Sequence, residues 1–183
     1  MASDTINATF EGGLSGDIVH GWRVLFARQR AFAEHALNQL DDEGFFWEPA
    51  EGLNSVAVIV QHLSGNLKSR WTDFLTTDGE KDWRDRDAEF KAPLMSAQSR
   101  ATIESDWAAG WELLDTALTH LKASDIDRKV TIRGALFTVH GAVARQLDHY
   151  AFHIGQINVV ARVYVGSASW RWFSLLPGGT SAF

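Results

Sequence analysis

The stretch 146-QLDHYAFHIGQINVVARVY-164 decides the fold class, because it is helical by period and carries His149 and His153 four residues apart. Four residues is just over one helical turn, so on a helix the two imidazoles stand one above the other on the same face. On a helical wheel, Ala142, Gln146, His149, His153, Gln156 and Val160 form one stripe. Tyr150, Ile154 and Ile157 form an apolar stripe beside it, so the histidine pair borders a core. This spacing can grip one small ion from one helix, but two ligands do not complete a site. The best third candidate is His62 in 56-VAVIVQHLSGNL-67, at the edge of another apolar stripe. His140 lies about half a turn out of phase with His149 and faces the other side.

Working outward, three more helical patterns appear. Ser15 or Asp17 caps a helix over 18–40, with Ile18, Trp22, Leu25, Phe32, Ala36 and Leu40 recurring at three- and four-residue steps. Asn54 or Ser55 caps a second helix running to about Thr76, with Val56, Ile59, Val60, Leu63, Leu67, Trp71 and Phe74 as its buried stripe. A third helix covers about Ser96 to Lys122, and the fourth, about Thr138 to Tyr164, contains the histidine pair.

Between these lie segments of other character. Residues 1–14 read as a loose polar arm, and 44-GFFWEPAEGLN-54 reads as a loop with aromatics beneath it. The segment 77-TDGEKDWRDRDAEFKAP-93 is highly charged and aperiodic, which predicts a long crossover loop between helices two and three. Its Arg84-Asp85-Arg86-Asp87 run is read first as a solvated or salt-bridged loop, and second as forks for a substrate carboxylate or phosphate. Residues 124–139 predict a small hairpin or an extended link, and 166–183 an irregular tail on the bundle. The expectation is an all-α, single-domain four-helix bundle over 1–183.

Composition narrows the function. The 183 residues carry 17 Lys plus Arg against 23 Asp plus Glu, a net charge of −6, with no basic stripe, so nucleic acid is not an expected partner. There is no cysteine, which removes thiolate nucleophiles and thiolate ligands and agrees with a cytoplasmic location. No signal peptide and no membrane-length apolar run is legible. No GxSxG, GxGxxG, Walker or HEXXH motif occurs; Tyr150 stands where a zincin would place Glu. His20, His35 and His120 read as ordinary helix residues, and Trp71, Trp83, Trp107 and Trp111 as core.

A lone histidine at a core edge is more often hydrogen-bonded than metal-bound, but a pair on one buried helix face brings the two readings level. Neutral imidazole suits zinc, nickel, copper or iron(II), so the donors alone leave the metal open. Three histidine ligands leave a coordination position free, as catalytic sites do.

Three passages, 54-NSVAVIVQHLSGNLKSRWTDFLTTDGEKDWRDRDAEF-90, 148-DHYAFHIGQI-157 and 170-WRWFSLLPGGTSAF-183, resemble the DinB-like (YfiT-like) superfamily, within it an uncharacterised branch. The resemblance implies an up-down-down-up bundle, commonly a homodimer. It also implies a divalent ion, nickel or zinc first and iron or manganese next, on His62, His149 and His153. The activity it implies is transfer of a low-molecular-weight thiol or a thiol-dependent isomerisation, while the three-histidine site by itself leaves a metal-dependent transferase or hydrolase of small molecules open. The alternative is a non-catalytic metal- or ligand-binding bundle with a structural or sensing role. The charged 77–92 insert and the Trp-rich tail depart from the better-understood members and put their substrates in doubt.

Overall fold

The computed structural model describes residues 17–173. The expected arm 1–14 and the last ten residues of the tail lie outside them. Among the described residues the protein is mostly helical, with one two-stranded sheet.

Helix α1 (Ile18–Leu37) begins where the Asp17 carboxylate accepts from the Val19 N–H at 3.0 Å. It buries Val19, Trp22, Phe26, Ala33, Ala36 and Leu37 at helical spacing. It stops short of the expected Leu40, although Leu40 is still buried in the turn that follows. The segment read as a loop from Gly44 instead opens inside a short helix, α2 (Asp42–Phe46). Asp41 caps it by accepting from the Gly44 N–H at 2.8 Å, and Phe45 is fully buried. Five residues are too few to show a period, which is why sequence patterning passes over it.

Helix α3 (Val56–Trp71), capped by Ser55, buries thirteen of its sixteen residues. A helix enclosed on nearly every side lies at the centre of a fold, so its polar residues must find partners inside. It ends at Trp71, five residues before the expected Thr76. Helix α4 (Ala97–His120), capped by Ser96, buries a single stripe of Ile103, Trp107, Gly110, Trp111, Leu114 and Leu118. Helix α5 (Val139–Val165) is capped by Thr138 and closed by Gly166 at φ 81°.

The α4–α5 link contains a hairpin, as one of the two sequence readings had it. Strands β1 (Lys129–Ile132) and β2 (Ala135–Thr138) pair antiparallel, with Ile132 opposite Ala135. Arg133 and Gly134 form its two-residue turn with φ of 55° and 73°, the doubly positive geometry of a type I′ turn. Helix α3 packs most extensively along α4 and α1 along α5, while α3 and α5 face each other. One hydrophobic cluster draws on α1, α3, α4, α5, the hairpin and Trp170.

Candidate metal centre

Two polar stripes face each other across α3 and α5. On α3, His62, Asn66 and Arg70 recur every four residues and are each 3% exposed. On α5, Arg145, His149 and His153 repeat the same spacing. Histidines therefore gather at one end of the facing stripes and arginines at the other. At the histidine end one ring nitrogen from each of His62, His149 and His153 lies within 4.8 Å of the others.

The donor set suits a metal ion. His62 Nε2 and His149 Nε2 stand 3.3 Å apart. Ligand nitrogens at roughly 2.0–2.1 Å from a tetrahedral ion are separated by about 3.3–3.4 Å, the same spacing. His62 Nδ1 pairs with Glu89 Oε2 at 2.9 Å, and His153 Nδ1 with Gln156 Oε1 at 2.8 Å. Both partners accept, so both Nδ1 atoms carry the proton and both Nε2 lone pairs are free. Burial, followed by the neighbouring His153, His62, Arg145 and Arg70, brings the His149 pKa down to about 3. Burial chiefly lowers His153 as well. His149 and His153 are therefore neutral at physiological pH, the form that binds metal.

The loop between α3 and α4 supplies what the helices lack. It carries a 3-10 turn over Ala88–Phe90, and Gln61 Nε2 donates to the backbone oxygens of Ala88, Glu89 and Lys91 at 3.3, 2.9 and 3.3 Å. Glu89 is held from both sides. Arg84 Nε reaches Oε1 and Nη2 reaches Oε2, each at 2.7 Å, in a two-pronged pair. Burial opposes its ionisation, but Arg84 and His62 overcome it and keep the Glu89 pKa low. The carboxylate lies so close over α3 that a Cβ on Gly65 would come within 2.6 Å of Glu89 Cδ. Only glycine fits there. Glu80 in turn joins Arg70, Arg84 and Arg133 at 3.0, 3.3 and 3.2 Å.

The hairpin anchors this loop. Asp78 accepts 2.8 Å hydrogen bonds from the N–H groups of Arg133 and Gly134 at the tip of the turn and one of 2.7 Å from Glu80. Burial works against the charge, yet these donors hold the Asp78 carboxyl down to about 2. Above the site is a cavity of about 280 Å³ lined by the three histidines, Phe90, Phe152, Asn66 and five arginines.

A family model described as a protein of unknown function, DUF1572, matches residues 14–179. The chain belongs to the DUF1572 family. That family lies in the DinB/YfiT-like superfamily, as the sequence resemblance implied. No curated protein and no solved structure matches the chain.

In this DUF1572 chain, three of the seven histidines converge and the rest go elsewhere. His35 Nε2 lies 2.7 Å from the Arg171 carbonyl, His120 Nδ1 lies 2.7 Å from the Thr116 carbonyl, and His140 rests against Trp22. His20 is exposed. Trp71, Trp107 and Trp111 are core as expected, whereas Trp83 is 60% exposed. Sequence reasoning missed Glu89; it named Arg84 within a solvated or salt-bridged loop, and the salt-bridged reading holds for that residue. The Arg84 side chain is in fact 2% exposed. Asn66 and Arg70 were missed as well, and the four-residue polar spacing from His62 inside an otherwise apolar α3 was the signal that could have found them. A larger cavity of about 530 Å³, between α1, α5 and Trp170, has mostly apolar walls and none of the three histidines. No helix among the described residues is long and apolar enough to cross a membrane.

Proposed function

We propose that this DUF1572 protein is a metal-dependent enzyme acting on small molecules, with a divalent ion held by His62, His149 and His153 in an up-down-down-up four-helix bundle. The observation that carries this reading is the pair of imidazole nitrogens 3.3 Å apart at the base of a cavity. Such an ion supplies Lewis acidity toward a water or a thiol and stabilises developing negative charge. The residues of the chain prepare the place for it. Glu89 fixes the tautomer and orientation of His62, Gln156 does so for His153, and Phe90 covers the His62 ring with centroids 4.5 Å apart.

No fourth histidine or carboxylate joins the three among the described residues. Glu89 is occupied by Arg84 and His62 and does not close the set. A position left for substrate separates this arrangement from a closed structural ion. Zinc and nickel are the first candidates, with iron or manganese next, and the superfamily resemblance favours thiol transfer as the reaction. The test uses protein purified without a histidine tag. Elemental analysis should find a bound divalent ion, and glutathione, mycothiol or bacillithiol should react with an electrophile only in the metal-loaded protein. If none of the three turns over, the thiol version is excluded. If the protein holds no metal, the whole reading is excluded.

A further inference from the structure

The arginine end of the same cavity is not explained by holding an ion. Arg70, Arg84, Arg86, Arg133 and Arg145 all line the cavity, and no Asp or Glu does. Two carboxylates behind the wall, Glu80 and Glu89, offset part of this charge through Arg70, Arg84 and Arg133. Arg86 and Arg145 are exposed and make no ion pair among the described residues; Arg86 only caps the Phe90 ring at 5.3 Å. The concentration is notable in a chain whose net charge is −6. Like charges crowded around a concave, partly desolvated surface repel one another and raise the local potential for an anion.

Two buried residues that line the same cavity have unspent hydrogen-bonding capacity. Arg70, 3% exposed, gives its Nη atoms to Gly79 and Glu80, but its Nε–H has no acceptor. Burial lowers the Arg70 pKa first, and repulsion from Arg84 and Arg145 lowers it further. Asn66, equally buried and midway along the stripe, has an amide oxygen with no donor. Unsatisfied buried polar atoms are costly unless a ligand or water completes them. At about 280 Å³ the cavity admits a compact molecule and excludes a macromolecular chain.

We propose that the arginine end of this cavity binds the anionic head, carboxylate or phosphate, of a small substrate whose other end reaches His62, His149 and His153. Arg145 supplies a free guanidinium fork at that end, with Arg70 and Asn66 lining the floor between it and the histidines, and Arg86, over the Phe90 ring that covers His62, supplies a second fork from the loop side. The assignment of the reacting end rests on the metal reading given above, whereas anion binding itself does not.

The test titrates inorganic phosphate, malonate and neutral malonamide into the full-length protein by calorimetry at low ionic strength. Each titration is done once on chelator-stripped and once on metal-loaded protein. Saturable binding of phosphate or malonate to the stripped protein is expected, with malonamide silent, and the tighter anion identifies the head group. Arg145→Ala and Arg86→Ala should each weaken that binding about tenfold, the scale of one lost charge-assisted hydrogen bond, and Arg145→Glu should abolish it. Neither arginine has an ion-pair partner to orphan, so the variants should keep the parent's thermal midpoint and metal content.

Unchanged affinity in all three variants would overturn the proposal. So would binding that requires the ion and ignores the arginines, because the ion itself would then be the anion's site. Anion binding in a protein that takes up no metal would leave this proposal standing and remove the metal reading. Metal uptake without anion binding would do the reverse.

Discussion

Two imidazoles of the site are oriented by the same device, supplied in two different ways. On α5, His153 gives its Nδ1 proton to Gln156, three residues further along one helix. On α3, His62 gives its Nδ1 proton to Glu89, which lies 27 residues away at the end of a long charged link. The helical partner arrives with the helix, because i and i+3 side chains are neighbours by construction. The loop partner arrives only if 72–96 is pinned, and the chain pins it with buried charge. Arg84 grips Glu89, Glu80 gathers three arginines, and Asp78 ties the loop to the hairpin tip. One half of the site is therefore inexpensive and local; the other depends on a network in which each charge needs its neighbour.

The largest expected effect falls on the half that the two stripes share. His153→Ala should remove the bound ion while leaving a helical, folded protein, because the apolar stripe of Tyr150, Ile154 and Ile157 is untouched. His140→Ala should leave metal content unchanged, since that ring lies against Trp22 and not in the site. Elemental analysis with circular dichroism checks both. Equal metal loss from the two substitutions, or an ion retained without His62, would break the assignment.

Next comes the loop half. Glu89→Ala removes the two-pronged partner of Arg84, whose side chain is 2% exposed and keeps only the longer contact to Glu80, and leaves His62 without its acceptor. Removing one partner of a buried ion pair costs about 3–5 kcal/mol, and losing an outer-shell partner weakens metal binding about 10- to 100-fold. A urea titration and a metal-competition titration should therefore both register this change. A stability loss below about 1 kcal/mol, the range of exposed pairs, would mean that Arg84 and Glu89 are solvated and the loop is not held by charge.

The same contrast explains what was legible in the sequence. His149 and His153 declared themselves because a helix turns a four-residue spacing into a shared face, and His62 because it stands at the edge of an apolar stripe. The cap at Asp17 and that at Ser55 were each one of two candidates for the same local reason, and the helix starts read at about Ser96 and Thr138 are the caps of α4 and α5. Glu89 was not, because no period links it to His62, and nothing in an Arg-Asp-Arg-Asp run says that the side chain of its first arginine is buried while the next three residues are exposed. Gly65 was silent too, since its meaning lies only in the carboxylate that crosses it. The helix α2 escaped for its length alone.

Acid should separate the two halves in metal-free protein. Folded His149 titrates at about 3 against 6.5 for the free group, so between those values the unfolded chain binds the extra proton. Stability therefore rises with pH through that window and declines as pH falls from 6.5 toward 3. Asp78 is held down to about 2 against an ordinary 3.8, so its contribution is present above 3.8 and lost as pH falls toward 2. Denaturant midpoints measured across pH 7 to 2 should fall first on the histidine limb and then on the carboxylate limb. A flat curve between pH 6.5 and 5 would show that His149 is not held neutral by its surroundings.

The smallest effect belongs to the helical partner. Gln156→Ala frees the His153 ring, and outer-shell substitutions weaken metal binding about 10- to 100-fold; the low end is expected here, because packing on α5 still confines the imidazole. Stability should hardly change, since Gln156 is half-buried and no charge is left uncompensated. Glu89→Ala and Gln156→Ala thus remove equivalent hydrogen bonds from two imidazoles, one at a large cost in folding stability and one at almost none. Equal destabilisation by the two would show that the loop network contributes no more to the site than a single helical turn. A Gln156 variant that binds metal as well as the parent would show that helix packing alone orients His153.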